Sequence, residues 1–150
     1  MSATDRSGSD QPSATPADLY ASWFDQFPFY RYLGLETEES RPGYARLGMP
    51  TGPNTLGGVG GSVHGGILAA LVDVAMLRAI VPLFTDGDEP GGTVDLSITY
   101  LRPVLGSRVT VEASVLKRGR MIAVTEVSIL DDQGRLCAKG RALYAFRKKE

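Results

Sequence analysis

The segment from Gly65 to Phe84 restricts the possible folds more than any other part of the chain. It reads GGILAALVDVAMLRAIVPLF, which is apolar nearly all round and carries only two charged residues, Asp73 and Arg78. Its length would suit a membrane span, but the two charges and the strand-like segments that follow favour a helix buried inside the protein. A helix without a polar face must be covered on most of its sides. We therefore expect the rest of the chain to wrap around it.

The predicted cover is an antiparallel β-sheet. Four strand-like segments follow the helix at intervals of about 12–14 residues, with turn-forming residues between them. They are residues 93–101, 108–116, 121–130 and 136–146, and apolar side chains alternate along most of them. Two shorter strands are expected around the turn at 41–43. A sheet with one polar face needs apolar cover on its other face. The sequence thus predicts an α+β protein whose sheet wraps a central helix, the arrangement of the hotdog fold.

Length and composition suit a single globular domain, which we place at residues 16–150. Residues 1–15 are rich in Ser, Thr, Asp and Pro, so we expect a disordered tail there, without the basic and then apolar order of a secretory signal. The formal net charge of −1 gives no indication of a nucleic-acid or membrane partner. A lone cysteine, Cys137, and a lone histidine, His64, make a disulfide framework or a metal site unexpected. These features favour the cytoplasm and predict no cofactor.

Seven aromatic side chains fall between residues 20 and 32. They lie in a helical segment that should begin near Pro16 and be broken at Pro28. Burial of the rings would dock this segment on the core. A second role, lining or covering a substrate pocket, is compatible with the first.

Asp73 is the exceptional residue of the apolar helix, because it has no polar neighbour for four residues on either side. An ionised carboxylate in apolar surroundings is costly, so it requires a partner or a function. Arg78 lies about 140° around the helix and is poorly placed to be that partner. A structural Asp bonded to backbone or to a second chain is one interpretation; we favour a general base or nucleophile. A Cys137–His64 dyad is formally possible, but nothing around Cys137 predicts a reactive thiolate.

His64, Gly65 and Gly66 stand at the predicted start of the helix, in a stretch with six glycines in ten residues. Unpaired backbone amides there, together with the helix dipole, form a natural site for a developing oxyanion. The alternative is a cap that only allows tight packing. His64 and Asp73 are about 13 Å apart along the helix and half a turn around it, so they cannot act on one atom within one chain. Two antiparallel copies of the helix would bring Gly65 of one chain to Asp73 of the other, which predicts an isologous homodimer.

The segment VHGGILAALVDVAML resembles the HGG(x)6D signature of the phenylacetate-pathway (PaaI-like) acyl-CoA thioesterases in the hotdog, or 4-hydroxybenzoyl-CoA thioesterase, superfamily. The resemblance extends over about residues 30–146 and includes TVDLSITYLRP and a GR pair. It implies hydrolysis of an acyl-CoA, either aryl or of medium to long chain, to the free acid and CoA. It also implies a homodimer that pairs as a dimer of dimers.

Residue by residue, the resemblance implies that the Gly65 amide polarises the thioester carbonyl and that Asp73 of the partner subunit activates water or attacks directly. Thr93 would orient the water or the carboxylate, and His64 would support the loop and bond near the thioester. Gly66 would contact the substrate. Two further segments would meet the phosphates of CoA: Arg118, Gly119 and Arg120, and then Lys139 and Arg141. The alternative for each of these charges is a solvated turn.

The sequence departs from the family pattern in one place. Relatives carry an Asn six positions before the signature His, where this chain has Gly58; Asn54 lies ten positions before it, as though GGVG had been inserted. Either the loop bulges and Asn54 still reaches the carbonyl, or that donor is missing. Loss of one oxyanion donor lowers a rate by about 10²–10³-fold.

Two other functions on the same fold stay open at this point. The altered loop would suit a non-catalytic dimer that binds acyl thioesters. A hotdog hydratase or dehydratase would be expected to carry a Pro-rich sequence after its His, unlike GGILAAL. The sequence also leaves open the acyl group, the choice between CoA and carrier-protein pantetheine, and the pathway.

Overall fold

The structure, a computed structural model, describes Ala14 and residues 16–150; apart from Ala14, the tail predicted at residues 1–15 lies outside the described residues. Two short helices come first, α1 (Pro16–Phe24) and α2 (Pro28–Leu33). Pro28 begins α2 and does not continue α1, as the sequence predicts, because proline lacks the amide hydrogen that a helix interior needs. Gly34 then ends α2 in the left-handed conformation, with a φ of 66°.

The rest of the chain forms one sheet and one long helix. The strands β1 (Glu36–Arg41) and β2 (Tyr44–Pro50) precede the helix α3 (Gly65–Ile80), and four strands follow it: β3 (Asp88–Tyr100), β4 (Arg108–Arg118), β5 (Ile122–Leu130) and β6 (Leu136–Lys148). Neighbouring strands are antiparallel, and their order in the sheet is β1-β2-β4-β5-β6-β3. The predicted hotdog arrangement is confirmed.

Helix α3 packs on one face of the sheet and supplies the centre of the core. Its fully buried side chains are Leu71, Val72, Ala75, Met76, Ala79 and Ile80. The stretch Gly65–Leu83 is long and apolar enough to cross a membrane by length and composition; burial of α3 under the sheet accounts for that composition. On β6, a Cβ at Gly140 would lie 2.6 Å from Val72, so the missing side chain lets the helix approach the sheet.

Strand β3 differs from the sequence prediction, because it begins at Asp88 and not at Thr93. Its pairing with β6 shifts register between Pro90 and Gly92 and again between Thr93 and Asp95. Edge strands tolerate Pro and Gly at such bulges, so DEPGG looks like a turn in the sequence although it is paired in the fold. β3 is an edge strand of the sheet, and within the described chain no strand pairs with its outer edge.

Candidate active site

The first turn of α3 leaves one backbone amide unpaired. His64 is the N-cap, and its Nδ1 accepts a hydrogen bond from the Gly66 amide at 2.9 Å. The amides of Ile67 and Leu68 donate to the His64 carbonyl at 3.0 and 3.2 Å. Within residues 16–150 the Gly65 amide has no acceptor. It is therefore the first-turn donor that a ligand can use.

The same cap fixes the tautomer of His64. Because Nδ1 accepts a hydrogen bond, the proton of the neutral ring lies on Nε2. The side chain is exposed, and Gly57 lies against its ring, where a Cβ would come within 3.2 Å of Cδ2. The start of α3 thus offers two donors, the Gly65 amide and His64 Nε2.

Tyr100 is a site residue that the sequence did not identify. Its hydroxyl donates to the Gly65 carbonyl at 2.6 Å. A Cβ at position 65 would lie 3.2 Å from that hydroxyl, so the close approach favours glycine. In the sequence Tyr100 counts as one of the alternating apolar side chains of its strand. The fold alone places its hydroxyl against the start of α3.

Asp73 lies half-buried on α3 and accepts a hydrogen bond from the Thr93 hydroxyl, at 2.7 Å between Oγ1 and Oδ1. None of the ion pairs among residues 16–150 involves Asp73. The Arg78 guanidinium lies instead over the Phe24 ring, 5.1 Å from its centre. The structure therefore leaves the Asp73 carboxylate without a basic partner in the described chain.

Three tyrosine hydroxyls lie within the field of Asp73. Burial raises the pKa of Tyr20, Tyr30 and Tyr144 above the ordinary value, and the negative charge of Asp73 raises each pKa further. These side chains are therefore neutral. Phe24 packs against Tyr20 and Tyr30, with ring centres 6.1 and 4.7 Å apart. Other rings of the aromatic segment are exposed: Trp23, Phe29 and Tyr32.

Gly65 and Asp73 cannot act on one atom within a single chain, because about 12 Å of helix axis separates them. Asp73 belongs to the face of α3 that the sheet does not bury. Residues on this face recur every three or four positions, which places them on one side of the helix. We call it the open face of α3; it consists of Gly66, Ala69, Ala70, Asp73 and Leu77, all exposed or half-buried.

A cavity of about 460 Å³ opens beside the start of α3. His64, Gly65 and Tyr100 line it, together with mostly aliphatic side chains and Arg102. We call it the His64 cavity. Arg102 is a second residue that sequence reasoning did not single out, because its position in YLRP gives no sign that it faces a cavity.

The loop before α3 folds as a short hairpin that absorbs the extra residues. Leu56 and Val63 form a β-bridge. The amides of Gly57 and Gly58 donate to the Ser62 carbonyl at 3.1 and 2.9 Å. The inserted residues therefore form a compact bulge between the two bridged positions.

The bulge brings the preceding chain back beside His64, whose amide donates to the Thr55 carbonyl at 2.8 Å. Asn54 is adjacent to this contact, but its exposed side chain lines a different cavity of about 350 Å³, which it shares with Arg31. The loop therefore bulges, and the structure does not bring Asn54 and Gly65 into one cavity.

Arg118 is held by contacts within the chain. Its guanidinium binds the buried Asp88 carboxylate at 2.6 Å and lies 3.5 Å from the centre of the Phe146 ring. Lys148 binds the same carboxylate. Burial would raise the pKa of Asp88, but hydrogen bonds from Lys148 and Thr85 and the charge of Arg118 hold it well below its ordinary value. With these partners Arg118 is not a free cation.

The other residues expected to meet CoA do not gather at the start of α3. Lys139 and Arg141 flank Gly140, which faces α3, so they stand on the opposite face of the sheet. Lys139 is paired with Glu126 at 3.4 Å. Gly119 and the exposed Arg120 form the turn between β4 and β5. Within the described chain these basic side chains therefore lie on different parts of the sheet.

The described residues contain neither a metal-ligating cluster nor a reactive cysteine. Among Ala14 and residues 16–150, no three His, Cys, Asp or Glu side chains come together where they could hold a metal ion. Cys137 is buried, and burial raises the pKa of its thiol. The thiol therefore stays protonated and is a poor nucleophile.

Comparison with known proteins identifies the family. Residues 60–138 match the model of the thioesterase superfamily. The medium/long-chain acyl-CoA thioesterase YigI of Escherichia coli is 32% identical over 130 residues, covering 78% of this chain and 84% of that protein. A thioesterase family protein from Silicibacter pomeroyi superposes with a TM-score of 0.77 at 26% identity, over 86% of this chain and 96% of that one. A mutant of the phenylacetic acid degradation protein PaaI from Thermus thermophilus superposes with a TM-score of 0.69 at 28% identity, over 79% and 97%. The chain therefore belongs to the thioesterase superfamily and is a hotdog-fold thioester hydrolase.

Proposed function

We propose that the protein hydrolyses an acyl-CoA thioester to the free acid and CoA, at a site shared between two subunits. One observation carries the proposal: α3 presents an unpaired Gly65 amide at its start and the Thr93-held Asp73 on its open face, too far apart to act together in one chain. The names of two relatives support the substrate class. One is a medium/long-chain acyl-CoA thioesterase, and the other takes part in phenylacetic acid degradation.

The dimer follows from the surfaces that the described chain leaves uncovered. The open face of α3 carries small side chains around Asp73, so a second α3 can approach closely across a two-fold axis. The outer edge of β3 has unpaired backbone groups that a second copy can pair with. Such a dimer contains two equal sites. Pairing of dimers into a tetramer, which the resemblance implies, stays a prediction.

In the proposed reaction the Gly65 amide and His64 Nε2 donate to the thioester carbonyl oxygen. Asp73 of the partner subunit takes a proton from water, and the hydroxide attacks the carbonyl carbon. The tetrahedral intermediate then collapses, the carbon–sulfur bond breaks, and the leaving thiolate takes the proton back from Asp73. The mechanism needs no cofactor beyond the CoA of the substrate. The unpaired, buried Cys137 suits a reducing compartment, and we place the reaction in the cytoplasm.

In the alternative chemistry Asp73 attacks the carbonyl itself and forms an anhydride, which water hydrolyses in a second step. A single turnover in oxygen-18 water separates the two. Attack by water puts the label directly into the acid product, whereas an anhydride that water opens at the Asp73 carbonyl carbon puts the label into Asp73 and releases acid that carries none.

The test of the function is thiol release from phenylacetyl-, octanoyl- and palmitoyl-CoA. We expect hydrolysis of at least one ester, and a fall of about 10²-fold or more in kcat for Asp73→Asn, as loss of a catalytic base requires. Asp95→Asn is the matched control, because Asp95 is exposed on the same strand as Thr93. Binding of the esters without thiol release would establish a non-catalytic binder, and hydration of an enoyl-CoA would establish a hydratase. Parallel assays with the same acyl groups on an acyl carrier protein show whether the enzyme prefers pantetheine in CoA or pantetheine on a carrier protein.

A further inference from the structure

The outer wall of the His64 cavity is built by the hairpin at residues 56–63. Val59 lies at its tip, in the short 3-10 turn Val59–Gly61, and lines the cavity together with Gly58. The chain that leaves β3 also lines the cavity, at Leu101 and Val104, and the Val104 carbonyl accepts a hydrogen bond from the Val63 amide at 3.1 Å. The hairpin is anchored at its base by its β-bridge and by hydrogen bonds to the Ser62 carbonyl. Its tip therefore has a defined position relative to His64.

Val59 contributes almost nothing to the packing of the described chain, since 85% of its surface is exposed. Its neighbours Gly60 and Gly61 have positive φ values of 66° and 77°, so the tip bends sharply and presents the one side chain between glycines. An isopropyl group in this position loses contact with water when an apolar group fills the cavity beside it. Val59 is thus placed to contact a ligand and not the protein core.

The lining of the cavity indicates which part of a thioester it takes. Gly65 lines the cavity, so a carbonyl bound to its amide leaves one substituent of the thioester inside. The exposed aliphatic side chains of the cavity are Val59 and Leu101, behind which lie the buried Val63, Leu68 and Val104. The polar side chains of the lining are Ser62, His64, Tyr100 and Arg102, and the lining contains no carboxylate. Pantetheine carries two amides that need hydrogen-bonding partners, whereas an alkyl chain needs only apolar contact.

The aromatic segment is a less suitable place for an alkyl chain. Near Asp73 it presents the hydroxyls of Tyr20 and Tyr30, and the buried Phe24 already packs against both rings. The aliphatic space on the described chain lies instead on the Gly65 side of the site.

We propose that the His64 cavity holds the acyl chain and that Val59 sets the longest chain the enzyme accepts. This inference rests on the proposed thioesterase function. Each methylene that enters the cavity should raise kcat/KM by up to about four-fold, which is 0.8 kcal/mol per buried CH2 converted to a rate ratio. The rise should stop at the length that reaches Val59.

The experiment is a series of saturated acyl-CoA esters from butyryl to palmitoyl, assayed with wild type, Val59→Trp and Val59→Ala. We expect the kcat/KM of Val59→Trp to stop rising at a shorter chain than that of wild type, with a loss of about four-fold, relative to its own value on butyryl-CoA, for each methylene that no longer fits. Val59→Ala should move the plateau to longer chains. Leu116→Trp is the control, because it adds the same ring at an exposed aliphatic position outside the cavity lining.

An equal loss on every ester, butyryl-CoA included, would overturn the inference, since it would place the CoA moiety beside Val59. An unchanged length profile in both Val59 variants would overturn it as well. Dissociation constants for S-alkyl-CoA thioethers of the same lengths make the test independent of turnover. If wild type releases no thiol but its thioether affinities depend on length and shift with Val59, the hydrolytic function fails while the acyl-chain site stands.

Discussion

Replacing Gly65 by proline removes a single hydrogen-bond donor from the proposed oxyanion site. Proline is favoured at the first position of a helix, because the amide hydrogen it lacks has no intrahelical partner there. The preceding residue, His64, has a ψ of 131°, an extended conformation that a following proline prefers. The Gly65→Pro variant should therefore fold with α3 intact.

The size of the effect follows from how the other first-turn amides are used. The Gly66 amide is bonded to His64 Nδ1, and those of Ile67 and Leu68 to the His64 carbonyl. No other amide of the turn can replace that of Gly65. We expect kcat to fall by about 10²–10³-fold with little change in KM, the usual cost of one oxyanion donor. His64 Nε2 should support the residual rate.

The matched control is Gly65→Ala, which keeps the amide hydrogen. Its Cβ would meet the Tyr100 hydroxyl at 3.2 Å, a contact that the proline ring makes as well. The ratio of the alanine to the proline variant therefore isolates the N–H group. A proline variant within about ten-fold of the alanine variant would refute the role assigned to this amide.

The same variant tests whether the site is shared. A heterodimer of one Gly65→Pro chain and one Asp73→Asn chain has one doubly altered site and one site that is wild type at both positions. We expect the purified heterodimer, made by co-expression with two tags, to recover about half of the wild-type activity per dimer. If each site belonged to one chain, the heterodimer would be no more active than the two variants alone.

Two further predictions concern Thr93 and Asp88. Thr93→Val removes the 2.7 Å hydrogen bond to Asp73 while keeping the side-chain shape. We expect kcat to fall about ten-fold, which corresponds to the loss of one hydrogen bond to a charged group. An unchanged kcat in steady-state kinetics would contradict the role assigned to this contact. Asp88→Asn breaks the buried cluster with Arg118 and Lys148 and should lower the free energy of unfolding by about 3 kcal/mol at neutral pH. The pKa of Asp88 is lower in the folded than in the unfolded state. Its contribution to the free energy of unfolding is therefore complete above the unfolded-state pKa of about 4 and is progressively lost as the pH falls below that value. In urea titrations of both proteins from pH 7 to 2.5, the difference in their free energies of unfolding should shrink below about pH 4. A difference that stays constant over this range would exclude Asp88 as a source of acid sensitivity.

The parts of the fold that the sequence predicts are those fixed by local pattern. Helix α3 is apolar all round and has to be buried, and the alternation along β4 and β6 requires one covered face. The start of β3 could not be predicted, because Pro90 and the two glycines after it are typical of a turn. Their pairing with β6 depends on two bulges that only the neighbouring strand imposes.

The residues of the candidate site likewise include some that the sequence reveals and others that depend on the fold. Asp73 and the start of α3 are visible in the sequence because a carboxylate and a glycine pair stand out against an apolar helix. The hydroxyl of Tyr100 gives no such contrast, since its partner Gly65 is 35 residues away. Arginine is a typical ligand of phosphate groups. The positive charge of Arg118, however, is already paired with the carboxylate of Asp88, 30 residues away in the sequence. Long-range partners of this kind are set by strand register, which a single sequence does not reveal.

The inserted hairpin shows why a departure from a family pattern need not remove a function. The extra residues are closed off by the bridge between Leu56 and Val63, so the chain on either side of the bulge still meets at His64. The cap on α3 and the unpaired Gly65 amide are therefore kept beside the bulge, although Gly57 of the bulge touches the His64 ring and leaves little room there for a side chain. Because Val59 at its tip lines the cavity and is 85% exposed, a change at the tip can alter which acyl chains fit while the donors proposed to polarise the carbonyl stay in place. The proposed mechanism thus assigns specificity and catalysis to adjacent parts of one loop.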